Sequence, residues 1–299
     1  MSSLVCDPDP PTEIDTLLNR GAYLRSLRLQ VDPPTSEPGS ETLASTSHFT
    51  PEGYLIYDSF LSNQVCYDDL KHADHPGISF SFGSDGTKTV NIEQTKALKK
   101  AGWVWDAAFI LTEYLLATLP PPSISLPCKI IELGAGTGIL TATLLTASHD
   151  VYATDLPDVV PLIRSNLSRN GLPPSHAFPL TWGLDDPEHE SRYDAVVGAD
   201  IVASLYSPES LARTIHRVLR PGGRGYLSYR RREDEYHDRF EMKMRGIFEG
   251  VEVERWVGGR NRNPEVRILR FWGKMDVEFG DGVDVGGDVR GDEGGSGEG

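Results

Sequence analysis

Cysteine is scarce in this chain of 299 residues: Cys6, Cys66 and Cys128 are odd in number and far apart. They build neither a disulfide framework nor a zinc-ligand spacing, and they suit a reducing compartment. The eight histidines also lack ligand spacing, so no metal site is expected. No stretch offers the roughly 18 uncharged apolar residues that a membrane-spanning helix needs. The N-terminus, MSSLVCDPDPPTE, has neither a basic start nor a long apolar segment, and it does not read as a secretory signal. These absences point to the cytoplasm, with the nucleus open, and to no membrane partner. Positive charge is short as well. The formal net charge is −15, and −7 of it falls in the last 24 residues. Such a balance speaks against a general nucleic-acid binder, which needs cationic surface to displace phosphate counterions.

What the chain does have is one organising stretch, Lys129 to Asp155: KIIELGAGTGILTATLLTASHDVYATD. The apolar pair Ile130 and Ile131 ends on Glu132, and glycines follow at 134, 136 and 138. Leu140, Leu144 and Leu145 then recur at helical spacing, and Val151–Ala153 leads to Asp155. Strand, glycine turn, helix, strand and acidic residue form the first half of a nucleotide-binding α/β sheet. Glycines let backbone amides approach a ligand that a Cβ would hold off. A carboxylate at Asp155 could accept hydrogen bonds from both hydroxyls of a ribose. The dinucleotide fingerprint is G-x-G-x-x-G; here the third glycine comes one residue early, giving E-x-G-x-G-x-G. Taken alone, the stretch leaves open a plain tight turn or a nicotinamide site.

The rest of the chain arranges itself around this unit. Residues 1–75 read as an N-terminal extension, with one helix from Glu13 to Gln30 and a Pro-, Ser- and Thr-rich linker over 32–51. Residues 76–275 read as one α/β domain, and 276–299 as a disordered, acidic, Gly-rich tail. ISFSF and TVNIE alternate around GSDGT, which signals a hairpin. Helices are expected over Val104–Leu119, over Asp158–Asn170 with Asp158 as cap, over Ser207–Leu219 with Pro221-Gly222-Gly223 as stop, and over Glu233–Phe248. Further strands are expected over Ala177–Trp182, Tyr193–Gly198, Arg224–Tyr229, Val251–Val257 and Val266–Trp272. The alternation predicts a mostly parallel sheet with one antiparallel edge strand.

Several strings in one order carry more than any one of them. GWVWDAAFILTEYL, IIELGAGTGIL, ATD, PLTWG and YDAVVGAD closely resemble the seven-strand protein methyltransferases of family 16, over roughly residues 78–272. That group includes lysine methyltransferases acting on Hsp70 chaperones and translation elongation factors. The resemblance implies a Rossmann-like seven-stranded class I methyltransferase sheet with helices on both faces. It implies S-adenosyl-L-methionine as cofactor, a protein substrate such as a chaperone or translation factor, no nucleic-acid partner and a monomer. Carried over by position, Trp105 would help close the cofactor pocket, and Gly134, Ala135 and Gly136 would line the methionine end. Asp155 would hold the ribose, Trp182 would border the adenine, and Ala199 would leave room beside the cofactor. Asp200 is the candidate catalytic residue. The family's Asp-x-x-Tyr motif is broken here, because Asp200-Ile201-Val202 is followed by Ala203. Tyr206, three residues further on, could reach the same space.

The chemistry bounds what Asp200 can do. Methyl transfer needs in-line attack by a neutral amine, so alignment matters greatly. A free lysine has a pKa near 10.4, and removing its proton at pH 7 costs roughly 4–5 kcal/mol. A neighbouring carboxylate raises that pKa; Asp200 therefore suits orienting the incoming ammonium better than acting as base. No Asn-Pro-Pro-Tyr string of DNA-base or glutamine methyltransferases is present. Two other readings stay open: a methyltransferase of a small amine, and a cofactor-binding interaction protein without turnover.

Overall fold

The computed structural model describes residues 50–57, 75–83, 86–122, 128–204, 206–231, 234–257, 263, 265–277 and 279. The expected helix over 13–30, most of the linker and nearly all of the tail lie outside these. Two sheets appear. Strands β1 (Leu55–Ile56), β2 (Gly77–Phe82) and β3 (Lys88–Glu93) form a small sheet in that order, with β2 and β3 as an antiparallel hairpin. Helix α1 (Asp106–Thr118) follows, then β4 (Lys129–Leu133), α2 (Ile139–Thr146), β5 (Asp150–Asp155), α3 (Val160–Arg169) and β6 (Ala177–Pro179). The chain continues through β7 (Tyr193–Ala199), α4 (Pro208–Val218), β8 (Leu219–Arg230), α5 (Asp234–Arg245), β9 (Phe248–Glu254) and β10 (Val266–Lys274).

The main sheet has seven strands in the order β6-β5-β4-β7-β8-β10-β9. Both faces are covered, and the sequence of β4 shows why. Ile130 packs among α1 and α2 with Leu111, Leu115, Leu140 and Leu144. Its neighbour Ile131 points to the other face, among Leu211, Ile215, Phe240 and Met244 of α4 and α5. Burying each such side chain contributes about 1.5–3 kcal/mol, and a continuous apolar run is what a parallel strand between two helical layers requires. Residues 50–57 join the packed body too: Tyr57 stacks on Phe109 at 3.5 Å, and its hydroxyl donates to Asp106 Oδ1 at 3.1 Å.

Three expectations need correction. The antiparallel strand is not the edge. β10 inserts between β8 and β9, pairing antiparallel with both, and β9 is the outer strand. Phe271 and Trp272 of β10 lie against Gly225 of β8 and Gly250 of β9, their cross-strand partners, where a Cβ would collide with the rings. Pro221-Gly222-Gly223 does not separate helix from strand. β8 already begins at Leu219, and the three residues form an irregularity between the Tyr193–Leu219 and Ala195–Arg224 pairs. Asp158 is no cap: α3 is entered through a turn in which Val159 N–H donates to the Leu156 carbonyl, and Val159 is the N-cap.

Candidate active site

The strand order reverses between β4 and β7, since β5 lies on one side of β4 and β7 on the other. Ligands of open α/β sheets bind outside the carboxyl ends of the strands at that point. The glycine loop leaves β4 there. Gly134, Gly136 and Gly138 all have left-handed φ, +64°, +55° and +79°, a conformation that other residues adopt at a cost of about 1–2 kcal/mol each. Ala135 N–H donates to the Thr154 carbonyl at 3.0 Å, binding the loop to β5, while its methyl packs in the core. Below the loop, Glu132 is buried. Its Oε2 accepts from Thr141 N–H at 3.0 Å and Thr141 Oγ1 at 2.5 Å, so it anchors the start of α2. Burial pushes the Glu132 carboxyl up to about 8.

The loop is a floor with walls. A Cβ on Gly134 would stand 2.7 Å from Ile201 Cγ2 and 3.1 Å from the Trp182 ring; one on Gly136 would stand 3.1 Å from the Ala101 carbonyl oxygen. Asp155, at the end of β5, accepts Gly136 N–H on Oδ2 and Leu156 N–H on Oδ1, both at 2.7 Å. Burial raises its pKa, and these two donors hold the rise back. Each carboxylate oxygen keeps a second lone pair for a hydroxyl donor. Trp182 lies beyond β6, which ends at Pro179 rather than running to the tryptophan.

Asp200 follows Ala199 at the end of β7, with φ +56°. Its N–H donates to the Ser228 carbonyl at 2.7 Å, and its Oδ1 accepts Arg230 N–H at 3.2 Å. Aspartate tolerates the left-handed region better than most residues, and the loop after β7 turns sharply through it. That turn brings Tyr206 back. Its ring meets Trp182 edge-on at 4.9 Å. Loss of water, and then the charges of Asp155 and Asp200, push the Tyr206 phenol up, so it stays protonated at neutral pH. Tyr206 thus joins the site that Ala203 leaves without a tyrosine.

Trp105 forms the N-cap of α1, and its Nε1 donates to the Lys100 carbonyl at 3.0 Å. It belongs to the segment 95–105 whose Ala101 stands over Gly136. Trp103, with its ring 6.4 Å from that of Trp105, has a buried Nε1 without a hydrogen-bond partner. Of the two indoles, Trp103 is therefore the one whose donor is left over. The structure brings the glycine loop, Asp155, Trp182, Asp200 and Tyr206 together. Sequence reasoning missed Asn166, which is fully buried and whose Nδ2 donates to the Thr137 carbonyl in the glycine loop at 2.9 Å. Its signal was an asparagine on the apolar side of α3, next to Ile163 and Leu167. Among the described residues, no group of three potential ligands could hold a metal, and no helix is long and apolar enough to cross a membrane.

Residues 85–245 match a protein family described as lysine methyltransferase. The chain belongs to that family. EEF1A lysine methyltransferase 3 of Mus musculus is 34% identical over 147 residues, covering 48% of this chain and 62% of that protein. The chain thus spans less than two thirds of that relative. Protein N-lysine methyltransferase METTL21A of Xenopus tropicalis is 32% identical over 207 residues, covering 67% of this chain and 90% of the relative. Among solved structures, the 16S rRNA N2 G1207 methyltransferase RsmC of T. thermophilus, in complex with AdoMet and guanosine, is similar with a TM-score of 0.46. It is 19% identical and covers 66% of this chain and 45% of that one. The sheet order and the glycine loop make this lysine methyltransferase family member an α/β protein of the Rossmann-like class I methyltransferase type.

Proposed function

We propose that this chain is an S-adenosyl-L-methionine-dependent protein-lysine N-methyltransferase. The observation that carries the reading is the convergence, at the carboxyl ends of β4, β5 and β7, of a left-handed glycine loop, Asp155 and Asp200. The residues fit such a cofactor. Side chains are excluded from Gly134 and Gly136 by their neighbours, so the loop offers backbone alone to the methionine end. Asp155 would take the ribose hydroxyls, Trp182 would border the adenine, Ala199 would keep space beside it, and Trp105 would close the near side. When bound, S-adenosylmethionine supplies an electrophilic methyl on a sulfonium.

The chain's own residues then have to deliver an amine. Asp200 orients the incoming ammonium by charge, and it holds that amine in line while the proton leaves to water. Tyr206, neutral and half-exposed, stands edge-on to Trp182, where the substrate side chain would enter. It offers both an aromatic face and a hydroxyl that can accept from an ammonium. With Asp200 holding the nitrogen in line, the cofactor would supply its methyl and leave as S-adenosylhomocysteine. The name of the mouse relative makes the elongation factor EEF1A the first substrate to try, and the family resemblance adds chaperones next.

The test has two stages. Calorimetry with S-adenosylhomocysteine should show binding by the wild type and its loss in Asp155→Ala. Incubation of a cell lysate with cofactor labelled on the methyl should then place label in a protein band, on lysine by mass spectrometry. Absence of binding by folded wild type sinks the cofactor reading. Label confined to small molecules would replace the substrate class, and binding without any transfer would favour an interaction protein.

A further inference from the structure

A strand edge in this protein is closed by two side chains of a helix. β3 is the outer strand of the small sheet, and Val90 and Ile92 are buried in the core beneath it. The outward backbone groups of Asn91 and Glu93 would otherwise be an open edge, which folded proteins generally cover. Helix α3 covers it. Asn170 Oδ1 accepts Asn91 N–H at 2.8 Å, and Asn170 Nδ2 donates to the Asn91 carbonyl at 2.7 Å. Asn166 repeats the arrangement on Glu93, accepting its N–H at 2.8 Å and donating to its carbonyl at 3.0 Å. The geometry matches for a simple reason. Four residues of helix advance about 6 Å, and two residues of strand advance about 6.7 Å. Side-chain amides spaced i, i+4 therefore meet peptide groups spaced i, i+2.

The two asparagines differ in one respect. Asn170, the C-cap of α3, uses its other N–H on the Asn166 carbonyl, at 2.8 Å. Asn166 uses its other N–H on Thr137 in the glycine loop. Its side chain has two donors and one acceptor oxygen, and all are engaged: the edge of β3 on one side, the loop on the other. β3 leads straight into the segment that crosses the loop. Gln94 Oε1 accepts Val104 N–H at 2.8 Å, Thr95 N–H donates to the Gly102 carbonyl at 3.0 Å, and the Ala101 oxygen stands over Gly136.

We infer that Asn166 is a positioning residue that couples the hairpin, and with it the 94–105 strap, to the glycine loop of the cofactor site. The coupling rests on the cofactor reading above. A wholly structural clamp would only protect the strand edge; a coupling clamp makes the hairpin sense the ligand. By linkage, a ligand that orders the loop must then protect the hairpin edge, and loosening the Asn166 link must weaken the ligand.

Amide hydrogen exchange of the wild type, with and without saturating S-adenosylhomocysteine, reads the first direction. The Asn91 and Glu93 amides should exchange several-fold more slowly when the ligand is bound. Asn166→Ala and Asn170→Ala read the second. Asn166→Ala should raise the dissociation constant for S-adenosylhomocysteine, and KM for the cofactor, about tenfold, within the usual range of coupling between sites. Its kcat at saturating cofactor should stay within about twofold, whereas general damage to the fold would lower kcat without moving KM. Asn170→Ala should free the Asn91 amide and leave affinity near that of wild type. Ligand binding by wild type with unchanged exchange at Asn91 and Glu93 overturns the inference. So does wild-type affinity in folded Asn166→Ala. If Asn166→Ala fails to fold, the wild-type exchange decides alone. A wild type that binds no S-adenosylhomocysteine overturns the cofactor reading first, and the coupling with it.

Discussion

Replacing Glu132 by glutamine should change how the stability of this protein depends on pH. Glu132 lies under the glycine loop, 2% exposed, with both donors of Thr141 on one carboxyl oxygen. Burial is the main cause of its raised pKa; the Thr141 hydrogen bonds oppose it, and the charge of Asp155 adds to it. The folded value of about 8 stands above an ordinary 4.5, so the folded state holds a proton that the unfolded chain gives up. Stability from this group is fully present below pH 4.5 and is lost as pH rises towards 8, beyond which no more is lost. At about 1.4 kcal/mol per pKa unit, the loss is on the order of 5 kcal/mol, a large part of a typical domain's stability. Glutamine keeps an oxygen for Thr141 and cannot ionise. Urea unfolding of wild type and Glu132→Gln, taken across this range, gives two curves whose difference isolates the group. Relative to the variant, the wild type should lose several kcal/mol between acid and mildly alkaline pH. Parallel curves for the two proteins would refute the reasoning and mean that Glu132 is ionised at neutral pH.

Gly134→Ala combines a left-handed backbone, about 1–2 kcal/mol, with crowding of Ile201 and Trp182, about 1–3 kcal/mol. It should lower Tm and cut S-adenosylhomocysteine affinity at least about tenfold; unchanged affinity in calorimetry would remove the loop from the site. Asp200→Asn preserves an acceptor for Arg230 N–H and the tolerance for positive φ, but removes the charge. Turnover on a protein substrate should fall about tenfold or more for a loss near 1.4 kcal/mol, with cofactor-product affinity unchanged; equal turnover would make Asp200 purely structural. Tyr206→Ala gives up an edge-on contact with Trp182 worth about 0.5–1.5 kcal/mol and should raise KM for the substrate, while Tyr206→Phe should retain the ring's share. If the two variants behave alike, only the hydroxyl matters.

The main sheet was readable because β4 and β7 are apolar on both faces, which fits few architectures besides a parallel sheet under two helical layers. Where the reading failed, the deciding contact was distant in sequence. Nothing local says that β10 slides between β8 and β9. The decision lies in cross-strand pairs, with Phe271 over Gly225 and Trp272 over Gly250. In retrospect the signal was a strand with aromatics facing two strands with glycines, since an aromatic ring can cover a neighbouring glycine. Pro221-Gly222-Gly223 reads as punctuation for the same reason. Proline and glycine break a helix or a plain strand, but a sheet can absorb them as an irregularity when its neighbour, here β7, pairs on either side of them with a shifted register.

The site divides in the same way. Gly134, Gly136 and Asp155 were readable because their work is local: a loop, and a carboxylate that closes on it from the next strand. Tyr206 was readable only as a candidate, because a count of residues from Asp200 assumes a chain of constant direction. Asp200 itself breaks that assumption with its φ of +56°. After a left-handed turn, three residues and six residues no longer describe successive positions along one element. The loop can return a side chain from the start of α4 to the end of β5, where it lies edge-on to Trp182 and within the field of both carboxylates. A broken Asp-x-x-Tyr spacing is therefore weak grounds for inactivity in this chain. What matters is where the loop places an aromatic hydroxyl, and here it sets the Tyr206 ring edge-on to Trp182.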